Sequence, residues 1–404
     1  MKRPGKKEIA LMNRIVRWGW LLILLAVSLW GCGTGESVQR KEFADTFTRH
    51  TGRQPRMGEG TGFHLPEGVD VSDSLSRDEA VAIALFNNAA FQSTLADLEI
   101  SFARLQQAGL IANPVFSVLF PIGPKQLEAA LSWPLAVFWQ RPLRIKVARN
   151  QAAVVAQELV AHGLELIREV DHQLAAVTLA QRQVALLTRE QEAAAALSDL
   201  AARRWQVGEI SRLAWRNFQA DSLLAYNRAW QMRQQLQQAR HRLAELLGLP
   251  ANRPLPPVQP ARIRLPLPAL PAEDSLLTLA LAARPEVRAA ELQAQEAGAR
   301  AGLATAEVFQ LIGVLDANFP RDADREVGPG LEVSLPLLNW NGGRRREARE
   351  QMKQALWRYV QVRQAITRQL RDAYSALRSA QNRVRLWRSE LLPHLREAAR
   401  QTLL

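Results

Sequence analysis

The sequence predicts a mainly α-helical fold in which long antiparallel helical hairpins alternate with a few short strands, and it predicts that plan twice. The first observation is an internal repeat. Ala129-Ala130-Leu131-Ser132-Trp133-Pro134-Leu135 recurs 202 positions later as Leu331-Glu332-Val333-Ser334-Leu335-Pro336-Leu337, with the serine, the proline and the apolar alternation in register. The second is composition. Among 404 residues there are 22 glycines and 6% aromatics, while Ala, Leu, Gln, Arg and Glu dominate, as in long helices. The third is a set of heptad-patterned stretches much longer than a globular domain needs. A few strands set between long helices is rarely an enzyme plan.

The N-terminus reads as an export signal over residues 1–31. Lys2, Arg3, Lys6, Lys7, Arg14 and Arg17 form a basic region, and Trp18 to Trp30 is a continuous apolar run. That run is too short to span a bilayer as a stable helix. It ends at Leu29-Trp30-Gly31-Cys32, which resembles the bacterial lipobox, so Cys32 is the expected lipidation site. Cys32 is the single cysteine, which excludes an internal disulfide and a thiolate metal cluster. Gly33, in place of an aspartate, points to outer-membrane delivery. The formal charge of +13 falls to about +8 once the six Lys or Arg and one Glu of the signal are removed. The remainder is scattered along helices without stacking aromatics, which argues against nucleic acid as a partner.

Residues 32–75 are polar and lack periodicity, and read as an N-terminal tether or a segment wrapping the outside of the fold. Order begins at Ser76-Arg77-Asp78-Glu79, an S-x-x-E capping box in which serine and glutamate satisfy each other's backbone donors. A helix is expected from there to about Gly109, with a counterpart starting near Ser275 at an offset of 196. Between the halves, residues 250–272 hold eight of the 21 prolines and must be an extended linker.

The expected strands lie at about Val115 to Phe120, Leu127 to Val137, Leu311 to Phe319 and Leu331 to Leu337. In the second of these, Leu127, Ala129, Leu131, Trp133, Leu135 and Val137 fall on one face and Glu128, Ala130, Ser132 and Pro134 on the other. Each strand offers an apolar face and a polar or small one. A membrane β-barrel alternates in this way, but the smallest need about eight strands, and an open edge in lipid leaves backbone groups unpaired. A membrane barrel would have to be shared among protomers. The alternative from the strands alone is a small soluble sheet packed on the helices.

From about Leu143 to Val207 a stripe runs through Ile167, Val170, Leu174, Val177 and Val184. At 1.5 Å per residue this makes a rod of roughly 95 Å. Val207-Gly208-Glu209-Ile210-Ser211 breaks it: glycine supplies a left-handed terminating position and Ser211 caps a new helix. The return helix carries Ala225, Ala229, Met232, Leu236, Ala239, Leu243 and Leu246 at alternating spacings of four and three, a close-packing seam, and ends at Gly248 and Pro250. A second long helix from Arg344 repeats the stripe through Ile366, Leu370, Ala373, Leu377, Ala380, Val384, Trp387 and Leu391.

Taken in order, these segments resemble the TolC family of outer-membrane efflux proteins. The matching stretches are Asn87-Asn88-Ala89-Ala90-Phe91, Gln107 to Pro114, Arg284-Pro285-Glu286-Val287, Ser334 through Arg345, and the tip Arg204-Trp205-Gln206-Val207-Gly208-Glu209-Ile210-Ser211. The resemblance implies a homotrimer in which each protomer lends four strands to one outer-membrane barrel in contact with lipid, above a periplasmic helical tunnel. It implies a passive exit duct of a tripartite efflux or type I secretion system, docked to a periplasmic adaptor (membrane fusion protein) and an inner-membrane pump. Val207, Gly208 and Glu209 match the helical turn that abuts the adaptor.

The duplication is unequal, since adding the repeat offset to Gly208 places a second tip just beyond Leu404, and the second return helix is missing from the sequence. The expected layout is a signal peptide (1–31), a tether (32–75), a first helix-strand-strand-helix-helix repeat (76–249), a linker (250–272) and a second repeat lacking its return helix (273–404), which reads as a fragment. The competing class is a periplasmic coiled-coil lipoprotein scaffold without a pore. An enzyme is not expected. His50, His64, His162, His172, His241 and His394 have no metal-ligand spacing, and there is no phosphate loop or nucleophile elbow, so no cofactor, catalytic residue or metal site is expected.

Overall fold

The computed structural model describes residues 36–56, 62–71, 73–120, 125–259, 269–320 and 325–402. The expected signal peptide and Cys32 lie outside the described residues. The elements in chain order are α1 (Glu36–Thr51), α2 (Arg77–Asn87), α3 (Ala89–Gly109), β1 (Val115–Leu119), β2 (Lys125–Pro134), α4 (Val137–Gln206), α5 (Arg212–Leu246), α6 (Glu273–Ala283), α7 (Pro285–Ala306), β3 (Gln310–Pro320), β4 (Glu326–Ser334), α8 (Gly342–Leu386), a π-helical turn (Trp387–Leu391) and α9 (Leu392–Thr402). The chain divides into two compact units.

The first unit contains the described residues up to Phe43 together with 98–156 and 286–364. Its centre is one antiparallel sheet in the order β1-β2-β3-β4, so the two hairpins of the repeat join through β2 and β3. Register places Phe116 opposite Leu131, Leu131 opposite Leu315, and Leu315 opposite Pro329. Cross-strand partners share a face. One face therefore carries Phe116, Val118, Ala129, Leu131, Trp133, Leu311, Leu315, Ala317, Val327, Leu331 and Val333, all apolar. The other face is more mixed than alternation alone suggests. It holds Glu128, Asp316, Glu326 and Glu332, but also Val115, Leu119, Ile312 and Val314. The edge strands are open: Phe116 is 67% exposed and Leu331 70%. Pro329 sits on edge strand β4, where a missing ladder donor is tolerated.

The junction below the sheet is fixed by side chains reaching backbone. Trp133 Nε1 donates to the Ala112 carbonyl at 3.0 Å, Trp139 Nε1 to that of Ala306 at 3.3 Å, and Arg141 Nε to that of Gly109 at 2.7 Å. The segment expected as a tether or a wrapping segment contains α1. In this unit Arg40 of α1 bonds Glu99 at 2.6 Å and lies 4.5 Å from the Phe102 ring. That carboxylate raises the Arg40 guanidinium pKa above its ordinary value, against partial burial.

The second unit contains residues 44–97, 157–285 and 365–404. Its core joins Phe47 of α1 and Phe91 of α3, ring centroids 5.8 Å apart, with Leu159, Val160 and Leu166 of α4. The seam expected between α4 and α5 forms. Val170, Leu174 and Val177 of α4 are buried, as are Ala225, Ala229 and Leu243 of the return helix. Gln173 Nε2 donates to the Ala239 carbonyl at 2.9 Å, and Arg228 pairs with Glu190 at 2.6 Å.

The single helix expected over 77–109 is two, and the break repeats. Asn88 leaves helical geometry at ψ 117° and its N–H bonds the Ala84 carbonyl. In the second half, 196 positions on, Arg284 does the same at ψ 129°, its N–H on the Ala280 carbonyl. Proline at 285 forces the second break, because the residue before proline is driven from the α region. The side chains of Asn87 and Asn88 account for the first, as described below. Only Ile366 of the stripe on α8 is buried; Leu377, Val384 and Trp387 are exposed, and no described helix follows α8 as α5 follows α4. Pro393 explains the π-helical turn just before it, since its ring would clash with the carbonyl four residues back in a regular helix.

Candidate functional site

The α4–α5 turn brings Val207, Gly208 and Glu209 together at one exposed tip. Gly208 has φ +83°, the left-handed position that ends α4. Its N–H bonds the Trp205 carbonyl at 3.0 Å, and the Glu209 N–H bonds that of Arg204 at 2.8 Å. These are the two hydrogen bonds of a Schellman motif. Where that motif usually makes an apolar contact, Arg204 and Glu209 form an ion pair at 3.8 Å. Ser211 starts the return helix, its Oγ accepting from the Ala214 N–H at 3.1 Å. Val207 and Leu213 are each 72% exposed. A Cβ added at Gly208 would meet nothing within 4 Å. The turn is thus held by its own backbone, with a bare surface facing outward.

Sequence reasoning did not find the aromatic pair under this turn. Trp205 and Trp215 stack with ring centroids 4.5 Å apart and planes 5° apart, and the Arg216 guanidinium lies 4.6 Å from the Trp215 ring. The indoles come from the last turn of α4 and the first turn of α5. The one available signal is a pair of tryptophans flanking Gly208-to-Ser211, three residues before it and four after it.

At the other end of α5, the Asn87-Asn88 motif has a structural task. Asn87 Oδ1 accepts from the His64 N–H and its Nδ2 donates to the His64 and Ile83 carbonyls. Asn88 Oδ1 accepts from the Phe91 N–H, capping α3, and its Nδ2 donates to the Leu246 carbonyl at 3.1 Å.

Among the described residues no group of three or more His, Cys, Asp or Glu side chains is placed to hold a metal. Asp171 accepts two hydrogen bonds from Arg77, both at 2.7 Å. That contact raises the Arg77 pKa above its ordinary value. His162 shares a 3.0 Å hydrogen bond with Thr94. No described helix is long and apolar enough to cross a membrane.

The four-stranded antiparallel sheet and the long α4–α5 hairpin are the parts of a TolC-like fold. Residues 123–249, which hold β2, the α4–α5 hairpin and its tip, match the family model described as outer membrane efflux protein, and the chain as a whole has a TolC-like fold. It is 24% identical over 335 residues to the cobalt-zinc-cadmium resistance protein CzcC of Cupriavidus metallidurans, covering 81% of this chain and 79% of that protein. Among solved structures it is similar to the outer-membrane channel OprN, with TM-score 0.67 and 21% identity over 87% of this chain and 88% of that one. The channel protein CusC matches with TM-score 0.65 and 17% identity over 87% and 88%.

Proposed function

We propose that three copies of this chain form a passive exit duct in the outer membrane, closed by pairing β1 of one protomer with β4 of the next. The observation that carries this reading is the sheet. Its wholly apolar face has the character of a surface turned to lipid, and its two open edges are tolerable in lipid only if another copy pairs with them. The strand lengths of β2, β3 and β4, at ten, eleven and nine residues, suit a membrane-spanning strand. The helices would extend into the periplasm, and the tips at Val207, Gly208 and Glu209 would meet an adaptor that connects the duct to an inner-membrane pump. The work of such a chain is conduction and gating, with no bond-making step. Cys32 would carry the lipid that tethers the N-terminus to the membrane.

Glu128, Asp316, Glu326 and Glu332 share the face that would line the lumen. Their charge favours cationic cargo, in keeping with the metal-resistance name of the CzcC relative. The test is the purified full chain in detergent, sized by light scattering and then reconstituted in planar bilayers. A trimer with discrete conductance steps is expected. A monomer or dimer without conductance would favour the pore-free coiled-coil scaffold instead.

A further inference from the structure

We propose that Trp205, Trp215 and Arg216 form a clasp that holds the α4–α5 tip in its docking conformation before a partner arrives. This rests on the reading of the tip as the docking surface. Trp205 stacks on Trp215 at 4.5 Å, and the Arg216 guanidinium lies over the Trp215 ring at 4.6 Å. Because one indole leaves α4 just before the turn and the other enters α5 just after it, the stack ties the two helix ends across the break. The Arg204–Glu209 ion pair and the Ser211 cap close the same loop from its other sides.

A turn at the end of two long helices has little else to hold it. Val207, Leu213 and Glu209 are exposed, and Gly208 has open space around it. Left to itself such a turn frays, and a partner would have to order it on binding, which weakens association. A near-parallel stack with a cation over one of its rings combines aromatic and cation–π attraction. Trp205 and Trp215 therefore act as positioning residues. They do not themselves form the docking surface, but keep the backbone at Val207, Gly208 and Glu209 in one conformation.

The experiment uses the full-length chain in its assembled state and the purified periplasmic adaptor of the same strain. Binding is measured by surface plasmon resonance, with amide hydrogen exchange at 207–211 followed in the free chain. Trp205→Ala and Trp215→Ala are each expected to weaken binding about 2- to 13-fold, the range a stacked aromatic pair supplies. The double variant should be no weaker than Trp215→Ala alone, since that change already removes every contact Trp205 makes in the clasp. Amide exchange at Gly208 and Glu209 should quicken in parallel, while Trp205→Phe and Trp215→Phe, which keep a ring to stack, restore both readouts. Protein level and oligomer size in every variant separate these effects from misfolding.

If the alanine variants bind as tightly as the parent, or their losses simply add, while Gly208→Leu abolishes binding, the clasp is refuted and the docking tip stands. If Gly208→Leu also binds normally, the docking reading falls and the clasp with it.

Discussion

The hairpin of the second unit contains the same backbone device at both ends of its return helix, put to opposite uses. α4 ends at Gly208 and α5 at Gly248, with φ +83° and +65°. Each is followed by the paired hydrogen bonds of a Schellman motif: Gly208 to Trp205 and Glu209 to Arg204 at the tip, Gly248 to Glu245 and Leu249 to Ala244 at the base. The surroundings differ. A Cβ on Gly208 would touch nothing within 4 Å, whereas one on Gly248 would lie 2.3 Å from the Asn87 carbonyl oxygen. At the tip the flanking pair is Arg204 and Glu209, at the base Ala244 and Leu249. One turn is built to be packed against, and the other to be left bare. The glycine at the base is required by its packing and its backbone angle, and the glycine at the tip by its backbone angle.

The largest effect on stability should therefore come from Gly248→Ala. It combines a left-handed backbone with a clash against main chain, and a loss of about 2 to 4 kcal/mol is expected in urea unfolding of the detergent-solubilised chain. A loss of less than about 1 kcal/mol would mean that the base turn is not packed as described. Asn88→Ala probes the same contact from the other side. It removes the cap on the Phe91 N–H and the bond to the Leu246 carbonyl, and should cost about 1 to 2 kcal/mol in the same measurement.

At the tip the ranking of stability and function should reverse. Gly208→Ala and Gly208→Leu have only the left-handed angle to overcome, about 1 kcal/mol each, because space is open. Protein level and oligomer size should be unchanged in both. Efflux, followed as growth under a toxic load, should be lost in the leucine variant, whose side chain stands where a partner would close in. Growth equal to the parent would remove the tip from the docking account.

The contrast also separates what the residues announce from what only three dimensions supply. The tip was legible because its signals are local: a glycine after a long heptad run, a serine able to cap, and a return seam of small residues. The strands were legible by their alternation, but with shifted bounds: β2 ends at Pro134 and not Val137, and β4 runs Glu326–Ser334 where Leu331 to Leu337 was expected. The base of α5 was legible only in outline. Gly248 reads as a helix stop, but its meeting with Asn87 joins positions far apart in the chain. α1 escaped for another reason: its sequence is polar overall, and the apolar content facing the core is little more than Phe43 and Phe47, one turn apart. The stripe on α8 shows the converse, since a clear heptad pattern leaves Leu377 and Val384 exposed wherever no described helix covers it.

The smallest expected effect lies on the shaft between the two turns and concerns acid. Hydrogen bonding to Arg168 holds the Glu165 carboxyl below its ordinary value, against some burial. A carboxylate whose folded pKa is depressed stabilises the fold fully above its unfolded pKa of ~4.3, and that contribution is lost as pH falls through the folded value. Both side chains are about 60% exposed, so solvent screening keeps the contribution below roughly 0.5 kcal/mol. Glu165→Gln should accordingly leave stability at pH 7 nearly unchanged and slightly flatten its decline below pH ~4. Neither glycine turn depends on this pair, so hydrogen exchange at residues 207–211 and 247–249 should respond to acid equally in Glu165→Gln and parent; a difference confined to either turn would show that the shaft and that turn are coupled.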